Sequence, residues 1–354
     1  MGQNIVKELD QISHLLREKK FLLVRGRSYD NLEIRSFFDN FPHVEFTDFT
    51  PNPLYEQVCA GIELFNREKC EMVVAVGGGS AIDVAKCIKL FCKLDHSINY
   101  LQQDRFDSGV TLIAVPTTAG TGSESTRHAV IYFEGEKQSI SHVSIVPDYA
   151  VLIPAVLKNL PIYQKKCTML DALCQAVESW WSVNSTEESK KYSREAIAAI
   201  CENWEEYIFE NTDESAVKIM EASNYAGRAI NITATTAAHA MSYKITSLYH
   251  FPHGHAVAVC LPEVWEYLLM HTDDCVDIRG EEYLKKSLSH IAEMITLQQF
   301  KTMLLEMDMK YPEAGDKEEE LEILSKSVNP VRLKNYPVAL NANTMKEMYR
   351  RIVQ

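Results

Sequence analysis

The stretch VVAVGGGSAIDVAK, residues 73–86, decides the fold. Its first four residues are small or β-branched and apolar, which is typical of a buried strand, and the three glycines lead into a helical pattern. Glycine lets the backbone approach a ligand closely, and the first N–H groups of a helix bind phosphate oxygens. A plain tight turn is the alternative, but three glycines followed by Ser80 exceed what a turn requires. The stretch therefore predicts a strand, a phosphate-binding loop and a helix.

A second loop, PTTAGTGSE at residues 116–124, also follows an apolar strand pattern. Its hydroxyls and small side chains suit contacts with a diphosphate, a ribose or a nicotinamide. The carboxyl ends of parallel strands share one edge of a sheet, where α/β proteins bind their ligands. Two such loops therefore predict a dinucleotide that lies across this edge.

The two halves of the chain have different patterns. Strand-like runs followed by Gly-containing turns occur at residues 21–24, 72–76 and 111–115. This rhythm predicts a parallel α/β sheet. Helical patterns dominate later, at residues 163–181, 189–209 and 213–230. We predict an α/β dinucleotide-binding domain over residues 1–158 and an all-helical domain over residues 159–354, with a cleft between them.

Composition excludes several classes of protein. The 354 residues are 46% hydrophobic and 24% charged, as in globular proteins, and no apolar run approaches the length of a membrane span. The polar start lacks the apolar core of a signal peptide, so we expect a cytoplasmic protein. The net charge of −13 argues against nucleic-acid and anionic-membrane partners. The nine cysteines form no CxxC pair, which argues against a disulfide framework and a cysteine zinc site.

Candidate metal ligands occur in the helical half. Asp171 and Gln175 are four residues apart on one predicted helix face, and His239 and His253 follow later in the chain. One carboxylate and two imidazoles can hold a divalent metal and leave coordination positions open for a substrate oxygen.

These motifs together resemble the iron-dependent (group III) alcohol dehydrogenases, which share a fold with dehydroquinate synthase and glycerol dehydrogenase. The matching pieces are Pro51-Asn52-Pro53, the loops at 77–86 and 116–124, Asp171-Ala172-Leu173 with Glu178, and His239 with Pro252-His253-Gly254. The resemblance covers essentially the whole chain. It implies an N-terminal NAD(P)-binding domain, a helical C-terminal domain and Fe²⁺ or Zn²⁺ in the cleft, which polarises the substrate oxygen during hydride transfer. It also favours a homodimer.

The resemblance implies roles for individual residues, with two departures. Asp171, His239 and His253 occupy family ligand positions, but Gln175 stands where the family usually has a fourth ligand, a histidine. Three protein ligands, a weak fourth ligand or a metal-free site remain open. Tyr243 replaces a family histidine that is often credited with proton relay. Tyr243 and His255 are our candidate proton donors, with His250 as another possibility.

The turn after the first strand concerns the choice of cofactor. NAD-preferring relatives commonly carry an acidic residue there, where this chain has Gly26. Arg25, Arg27 and Ser28 could bind a 2′-phosphate, which predicts a preference for NADPH over NADH. The residues expected to contact the cofactor are Gly26, Arg27, Ser28, Asn52, Gly77, Gly78, Gly79, Ser80, Asp83, Thr117, Thr118, Thr121, Ser123 and Lys137.

Positive charge beside the predicted site indicates an anionic substrate. Arg127 and His128 follow the second loop, and Lys244 follows Tyr243. We interpret these three residues as a clamp for a phosphonate, phosphate or carboxylate group. The segments at 167–181 and 184–189 resemble the branch of the family that reduces phosphonoacetaldehyde to 2-hydroxyethylphosphonate.

Three alternatives compete with this interpretation. The chain could be a general alcohol or aldehyde dehydrogenase for short uncharged substrates. It could be a metal-dependent lyase or cyclase similar to dehydroquinate synthase, which would show no net consumption of NADPH. It could also bind the cofactor without catalysis, an alternative that the departures at Gln175 and Tyr243 favour.

Overall fold

A computed structural model describes residues 3–354 of the chain. The chain divides into two compact units, the first ending at Leu160 and the second running from Pro161 to Gln354. Among the described residues, no helix is both long enough and apolar enough to cross a membrane.

The first unit is built on a parallel sheet of six strands. The strands of the unit are β1 (Asn4–Val6), β2 (Phe21–Arg25), β3 (His43–Phe46), β4 (Met72–Gly77), β5 (Thr111–Pro116), β6 (His128–Phe133), β7 (Glu136–Ser141) and β8 (Tyr149–Val151). The order in the large sheet is β1-β8-β5-β4-β2-β3, and every pairing in it is parallel. β6 and β7 form a separate antiparallel hairpin. The central strand β4 is buried along its whole length, as its apolar sequence predicts.

Helices flank this sheet. They are α1 (Ser13–Glu18), α2 (Arg35–Phe38), α3 (Tyr55–Arg67) and α4 (Gly79–Phe91). α4 begins directly after the glycine loop and is buried from Val84 to Phe91, because it packs against the sheet, α3 and β6. Its position explains why the helical part of the 73–86 stretch is so apolar.

The second unit is helical. Its helices are α5 (Ile162–Trp181), α6 (Glu187–Glu205), α7 (Asp213–Thr233), α8 (Ala237–Tyr249), α9 (His253–Met270), α10 (Glu281–Ala292), α11 (Leu297–Glu306), α12 (Lys317–Ser327), α13 (Pro330–Leu333) and α14 (Ala342–Ile352). A π-helical turn, Glu206–Glu210, follows α6. α5 is buried from Cys167 to Trp181 and packs against α6, α7, α9 and α10. The predicted fold class, an α/β domain followed by an all-helical domain, is confirmed.

Candidate functional site

The predicted cofactor loops lie at one edge of the first unit's sheet. The N–H of Gly26 donates to the Val76 carbonyl at 3.1 Å, and the N–H of Thr117 donates to the Gly77 carbonyl at 3.0 Å. These bonds tie the turn after β2 and the loop after β5 to the end of β4. The three loops therefore adjoin one another, as parallel strand order predicts.

Close packing explains the glycines of the first loop. A Cβ on Gly77 would lie 2.6 Å from the Ala81 Cβ, and a Cβ on Gly79 would lie 3.0 Å from the Thr121 Cγ2. Gly78 precedes the first residue of α4, and the first N–H groups of a helix have no intrahelical acceptor. The loop is therefore shaped to bring backbone donors close to an anion.

Asp83 and Ser123 are bonded within the protein. One carboxylate oxygen of Asp83 accepts the Ser123 hydroxyl at 2.7 Å, and the other accepts the N–H of Val130 at 2.9 Å. The same Ser123 hydroxyl accepts from the Lys86 ammonium at 2.9 Å. Asp83 and Ser123 therefore position the second loop, and their contact with a cofactor stays a prediction.

Lys86 is the centre of this network. Its buried ammonium also donates to the Thr126 hydroxyl at 3.0 Å and to the His128 carbonyl at 2.7 Å. Burial lowers the pKa of Lys86 to about 8, against the opposing effect of the Asp83 carboxylate. Nothing in the local sequence indicated this role, because the partners of Lys86 lie about forty residues further along the chain.

The remaining cofactor candidates are exposed or partly exposed and lie in turns or, for Lys137, in strand β7. Arg27 and Ser28 are exposed, and Asn52 is an exposed residue in the left-handed region with φ of 59°. Thr118 and Thr121 are half-buried in the second loop, and Lys137 lies opposite Tyr132 in the β6–β7 hairpin.

Arg25 binds two carboxylates within the first unit. Its guanidinium forms ion pairs with Asp30 at 3.1 Å and Glu45 at 2.8 Å. The sequence interpretation counted Arg25 with Arg27 as a partner of a 2′-phosphate. The structure gives Arg25 two carboxylate partners instead, which leaves Arg27 and Ser28 as the candidates for a 2′-phosphate.

Three helices of the second unit bring the predicted metal ligands together. Asp171 lies on α5, His239 on α8 and His253 at the first position of α9, and one ligand atom from each lies within 4.8 Å of the other two. Asp171 and His239 are buried, whereas His253 is partly exposed. The cluster is thus closed on the protein side and more open at His253.

Two atoms of this cluster are buried without a hydrogen-bond partner. In the described chain, neither the Asp171 Oδ1 nor the His239 Nε2 has one, although they lie 3.3 Å apart. Buried polar atoms are rarely left in this state, because each costs about 1–3 kcal/mol. A divalent cation between the two atoms and His253 would satisfy them, so these residues fit a metal.

Glu178 fixes the orientation of His239. Its carboxylate bonds the Nδ1 of His239 with one oxygen, and with the other accepts the N–H groups of Thr236 at 3.2 Å and Ala238 at 2.9 Å. This outer bond turns the Nε2 toward Asp171, which is how metal-binding histidines are commonly held. Burial lowers the pKa of His239, but Glu178 and Asp171 outweigh it and raise the value to about 9.

Gly254 allows α9 to approach α5. A Cβ at this position would lie 1.9 Å from the Cys167 carbonyl oxygen and 2.8 Å from the Asp171 Cβ. No side chain fits there. Gly254 therefore sets the separation between the helices that carry Asp171 and His253.

Comparison with known proteins identifies the family. A model of iron-containing alcohol dehydrogenases matches residues 1–154, and a model of the C-terminal part of the Fe-containing alcohol dehydrogenase family matches residues 166–353. The chain belongs to the iron-containing alcohol dehydrogenase family. This family uses NAD(P) and a divalent metal, and the metal cluster described above agrees with that chemistry.

Individual relatives differ in their substrates. The chain is 30% identical to 1,3-propanediol dehydrogenase from Citrobacter freundii over 310 residues, covering 83% of this chain and 80% of that protein. It is 31% identical to phosphonoacetaldehyde reductase from Streptomyces viridochromogenes over 237 residues, covering 63% and 60%. It is 34% identical to the probable alcohol dehydrogenase EutG of Escherichia coli, but the match spans only 56% of that protein's length.

A solved structure agrees over nearly the full length. Sulfoacetaldehyde reductase from Bifidobacterium kashiwanohense, in complex with NAD⁺, superimposes with a TM-score of 0.85 at 25% identity and covers 99% of this chain and 96% of its own. The family fold is thus retained at low sequence identity.

Gln175, at the first departure from the family pattern, contacts Asp171. The side chain is buried one helical turn after Asp171, and its hydrogen bond favours the ionised carboxylate. Burial raises the pKa of Asp171, but the contacts with His239, His253 and Gln175 together lower it below its usual value. Gln175 therefore supports the Asp171 carboxylate through its amide, and its role as a weak fourth ligand stays a prediction.

Tyr243, at the second departure, stacks on the candidate metal ligand His253. Its ring lies parallel to that of His253, with centroids 5.6 Å apart and planes 2° apart. The Tyr243 hydroxyl accepts from the Arg332 guanidinium at 3.0 Å, and the Arg332 Cζ lies 4.9 Å from the ring centroid. The sequence did not indicate Arg332, because it lies in the four-residue helix α13, far from Tyr243 along the chain.

The ring nitrogens of His255 are both used within the protein. Its Nε2 donates to the Lys310 carbonyl at 2.8 Å, so its Nδ1 accepts the Tyr163 hydroxyl at 2.8 Å. Burial lowers the pKa of His255 and keeps the ring neutral. This arrangement argues against His255 as the proton donor. His250, the other histidine considered, is exposed at the end of α8 with φ of 57°.

The predicted substrate cations are divided between the units. Arg127 and His128 are half-buried at the start of β6 in the first unit, and the His128 carbonyl is bound by Lys86. Lys244 is half-buried on α8 in the second unit, about 100° around the helix from Tyr243. Its ammonium forms no ion pair within the part of the chain that the structure describes.

Proposed function

We propose that this chain reduces a small anionic aldehyde to its alcohol with NADPH and a divalent metal, and that phosphonoacetaldehyde is the substrate, giving 2-hydroxyethylphosphonate. The observation that carries the proposal is Arg332, which bonds the Tyr243 hydroxyl while the Tyr243 ring stacks on His253. A guanidinium thus lies one side chain away from the metal ligands. It suits a phosphonate, which it can bind through two parallel hydrogen bonds.

Two relatives support an anionic substrate. The names of the Streptomyces and Bifidobacterium reductases specify phosphonoacetaldehyde and sulfoacetaldehyde, which are both two-carbon aldehydes with an anionic group. In a chain with a net charge of −13, capture of such a substrate requires local cations. We assign Arg332 and Lys244 of the second unit to that role; Arg127 and His128 of the first unit stay candidates from the sequence.

The residues of the site have distinct tasks in the proposed reaction. A divalent metal supplies a Lewis acid for the carbonyl oxygen, and NADPH supplies a hydride for the carbonyl carbon. Asp171, His239 and His253 would bind the metal, and Glu178 holds the His239 ring with its Nε2 toward Asp171. The aldehyde, NADPH and one proton give the alcohol and NADP⁺.

Tyr243 is the proton donor that we favour. Its oxygen accepts the hydrogen bond from Arg332, because a guanidinium can only donate. The phenol's own hydrogen is therefore available for a different acceptor, and the Tyr243 ring stacks on His253, one of the proposed metal ligands.

The turn after β2 supports NADPH as the cofactor. A Cβ at Gly26 would meet nothing within 4 Å, so no side chain blocks a 2′-phosphate there. Arg27 and Ser28 are exposed on the same turn and can donate to the phosphate. We place the diphosphate at residues 77–80, beside Thr117, Thr118 and Thr121. Replacing Arg27 by Gln should lower the preference for NADPH over NADH about tenfold in kcat/KM.

A substrate panel tests the proposal. NADPH oxidation is measured with phosphonoacetaldehyde and propanal, each also with NADH, on enzyme reconstituted separately with Fe²⁺ and Zn²⁺. In Arg332→Gln, we expect KM for phosphonoacetaldehyde to rise at least about tenfold and KM for propanal to stay within twofold. Lys326→Gln, which removes an exposed cation of α12, is the control and should change neither value. An equal rise for both aldehydes would remove Arg332 from anion binding.

Uncharged substrates are the second candidate. The 1,3-propanediol dehydrogenase relative covers 83% of this chain, more than the phosphonoacetaldehyde reductase does. Comparable kcat/KM values for propanal and phosphonoacetaldehyde would favour a general alcohol dehydrogenase. We also propose a homodimer, which a solution mass of twice the 40.3 kDa chain would support.

A further inference from the structure

A cavity of about 540 Å³ in the second unit lies between α6 and α10. Trp180, near the end of α5, forms part of its wall. None of the proposed metal ligands lines it. We call it the α6–α10 cavity.

The lining of this cavity is rich in unpaired positive charge. Four cations line it, Lys190, Lys191, Arg194 and Lys286, and within residues 3–354 none of them forms an ion pair. Two glutamates also belong to the lining, which leaves a formal excess of two positive charges. The chain has 49 acidic and 36 basic residues, so cations without carboxylate partners are not expected to gather by composition alone.

Neighbouring cations show the contrast. Lys285 is adjacent to Lys286 on α10 and pairs with Glu281 at 2.8 Å. Arg279, just before α10, pairs with Asp277 at 2.6 Å. Carboxylates are therefore available in this region, but those cations that face the cavity have none within ion-pair distance.

Helical spacing puts the cavity cations on common faces. On α6, Arg194 follows Lys190 by four residues and Lys191 by three, so its side chain neighbours both on the helix surface. Lys286 of α10 lines the same cavity. Lys191, Arg194 and Lys286 are exposed, so their head groups can reach a ligand without rearrangement of the core.

Lys190 is held in place before any ligand binds. Its ammonium donates to the Ser287 hydroxyl at 2.7 Å and lies 4.6 Å from the Tyr283 ring centroid and 5.1 Å from that of Trp180. The Arg194 Cζ also lies over Trp180, at 5.8 Å. Fixing long side chains in advance reduces the entropy lost on binding.

We propose that the α6–α10 cavity binds a small polyvalent anion of the phosphate class, with more than one phosphate group. Arginine binds phosphate through paired hydrogen bonds and lysine acts as a point charge, so this lining suits phosphate oxygens. The volume exceeds what one phosphate group fills. Glu187 and Glu195 also line the cavity and would repel a long acidic chain, which favours a compact ligand.

Calorimetric titration with inorganic pyrophosphate tests this site. The metal-loaded full chain is first saturated with NADPH and 2-hydroxyethylphosphonate, so that the loops of the first unit and the proposed substrate site are both occupied without turnover. We expect one further site per chain, and at least about a tenfold weaker Kd in Arg194→Gln/Lys286→Gln. Both residues are exposed, so the variant should fold and keep its aldehyde turnover. Repeating the titration with ADP distinguishes a free polyphosphate from the phosphate end of a nucleotide.

A matched variant separates this site from general charge effects. Lys310→Gln/Lys326→Gln removes the same amount of charge from side chains that are each 73% exposed elsewhere in the unit. The Kd of this matched variant for pyrophosphate should stay within twofold of the wild-type value. Pyrophosphate should raise the Tm of the matched variant and of the wild type, but not the Tm of the cavity variant. The absence of a second site, or an equal loss in both variants, would overturn the proposal. Binding of a poly-glutamate peptide in place of pyrophosphate would overturn it too.

Discussion

Two buried polar clusters, one in each unit, differ in how far the protein satisfies their atoms. Around Lys86 in the first unit, the ammonium has three acceptors and both oxygens of Asp83 have donors. In the second unit, Asp171 Oδ1 and His239 Nε2 are buried with no hydrogen-bond partner in the described chain. The polar atoms of the first cluster all find partners within the folded protein, which is typical of a cluster with a structural role. The second needs a ligand from outside the protein.

The largest expected effect comes from breaking the incomplete cluster. Replacing His253 by Ala should remove the metal and slow aldehyde reduction at least about a thousandfold, because Lewis-acid stabilisation supplies several kcal/mol. NADPH affinity, measured by cofactor fluorescence, should stay within twofold. His250→Ala is the control, since it removes an exposed histidine three residues away. Loss of NADPH binding together with turnover would instead indicate that His253 is structural.

Breaking the complete cluster around Lys86 should lower the stability of the protein. Lys86→Met leaves two hydroxyls, a carbonyl and the Asp83 carboxylate without their buried cation, so we expect the free energy of unfolding to fall by about 3 kcal/mol. Urea denaturation measures this change. Lys89→Met is the comparison on the same helix; it removes one 2.8 Å ion pair with the partly exposed Asp148 and should cost less. The metal content should not change in either variant. A loss of metal in Lys86→Met would contradict the view that the Lys86 cluster has a structural role alone.

The clusters also differ in how far the sequence predicts them. The glycine loop and the three ligands could be predicted, because a strand followed by glycines and a helix is a local pattern and the ligand types are chemically distinctive. β2, β4 and β5 were likewise expected from their apolar runs, to within a residue or two. The sequence did not reveal the β6–β7 hairpin or the short strands β1 and β8, because their residues alternate weakly or number only three.

Contacts between distant residues could not be predicted from one sequence. The partners of Lys86 lie in loops that become adjacent only when α4 packs under the hairpin. Arg332 meets Tyr243 because α13 packs against α8. His255 was a reasonable proton donor by position, but the Lys310 carbonyl that occupies its Nε2 lies 55 residues further along the chain.

A smaller effect is expected from the residue that orients His239. Glu178→Gln keeps a carbonyl oxygen for the N–H groups of Thr236 and Ala238 but removes the charge that holds the His239 ring. Metal affinity should fall about 10–100-fold, as measured by competition with a chromophoric chelator. Glu202→Gln, on the exposed side of α6, should leave it unchanged. An unchanged affinity in Glu178→Gln would mean that the charge of Glu178 is not needed to orient His239.

The smallest expected effect concerns His255, whose two ring nitrogens are both hydrogen-bonded within the protein. Tyr163→Phe removes only the hydroxyl that the His255 Nδ1 accepts, so the free energy of unfolding should fall by about 1 kcal/mol. Because both nitrogens of His255 are bonded within the protein, kcat and its pH profile should stay within twofold of wild type, whereas Tyr243→Phe should lower kcat. A kcat that fell as far in Tyr163→Phe as in Tyr243→Phe would restore His255 to the proton path. It would also show that a residue of the helical unit can take part in the reaction even when all its polar atoms are hydrogen-bonded within the protein.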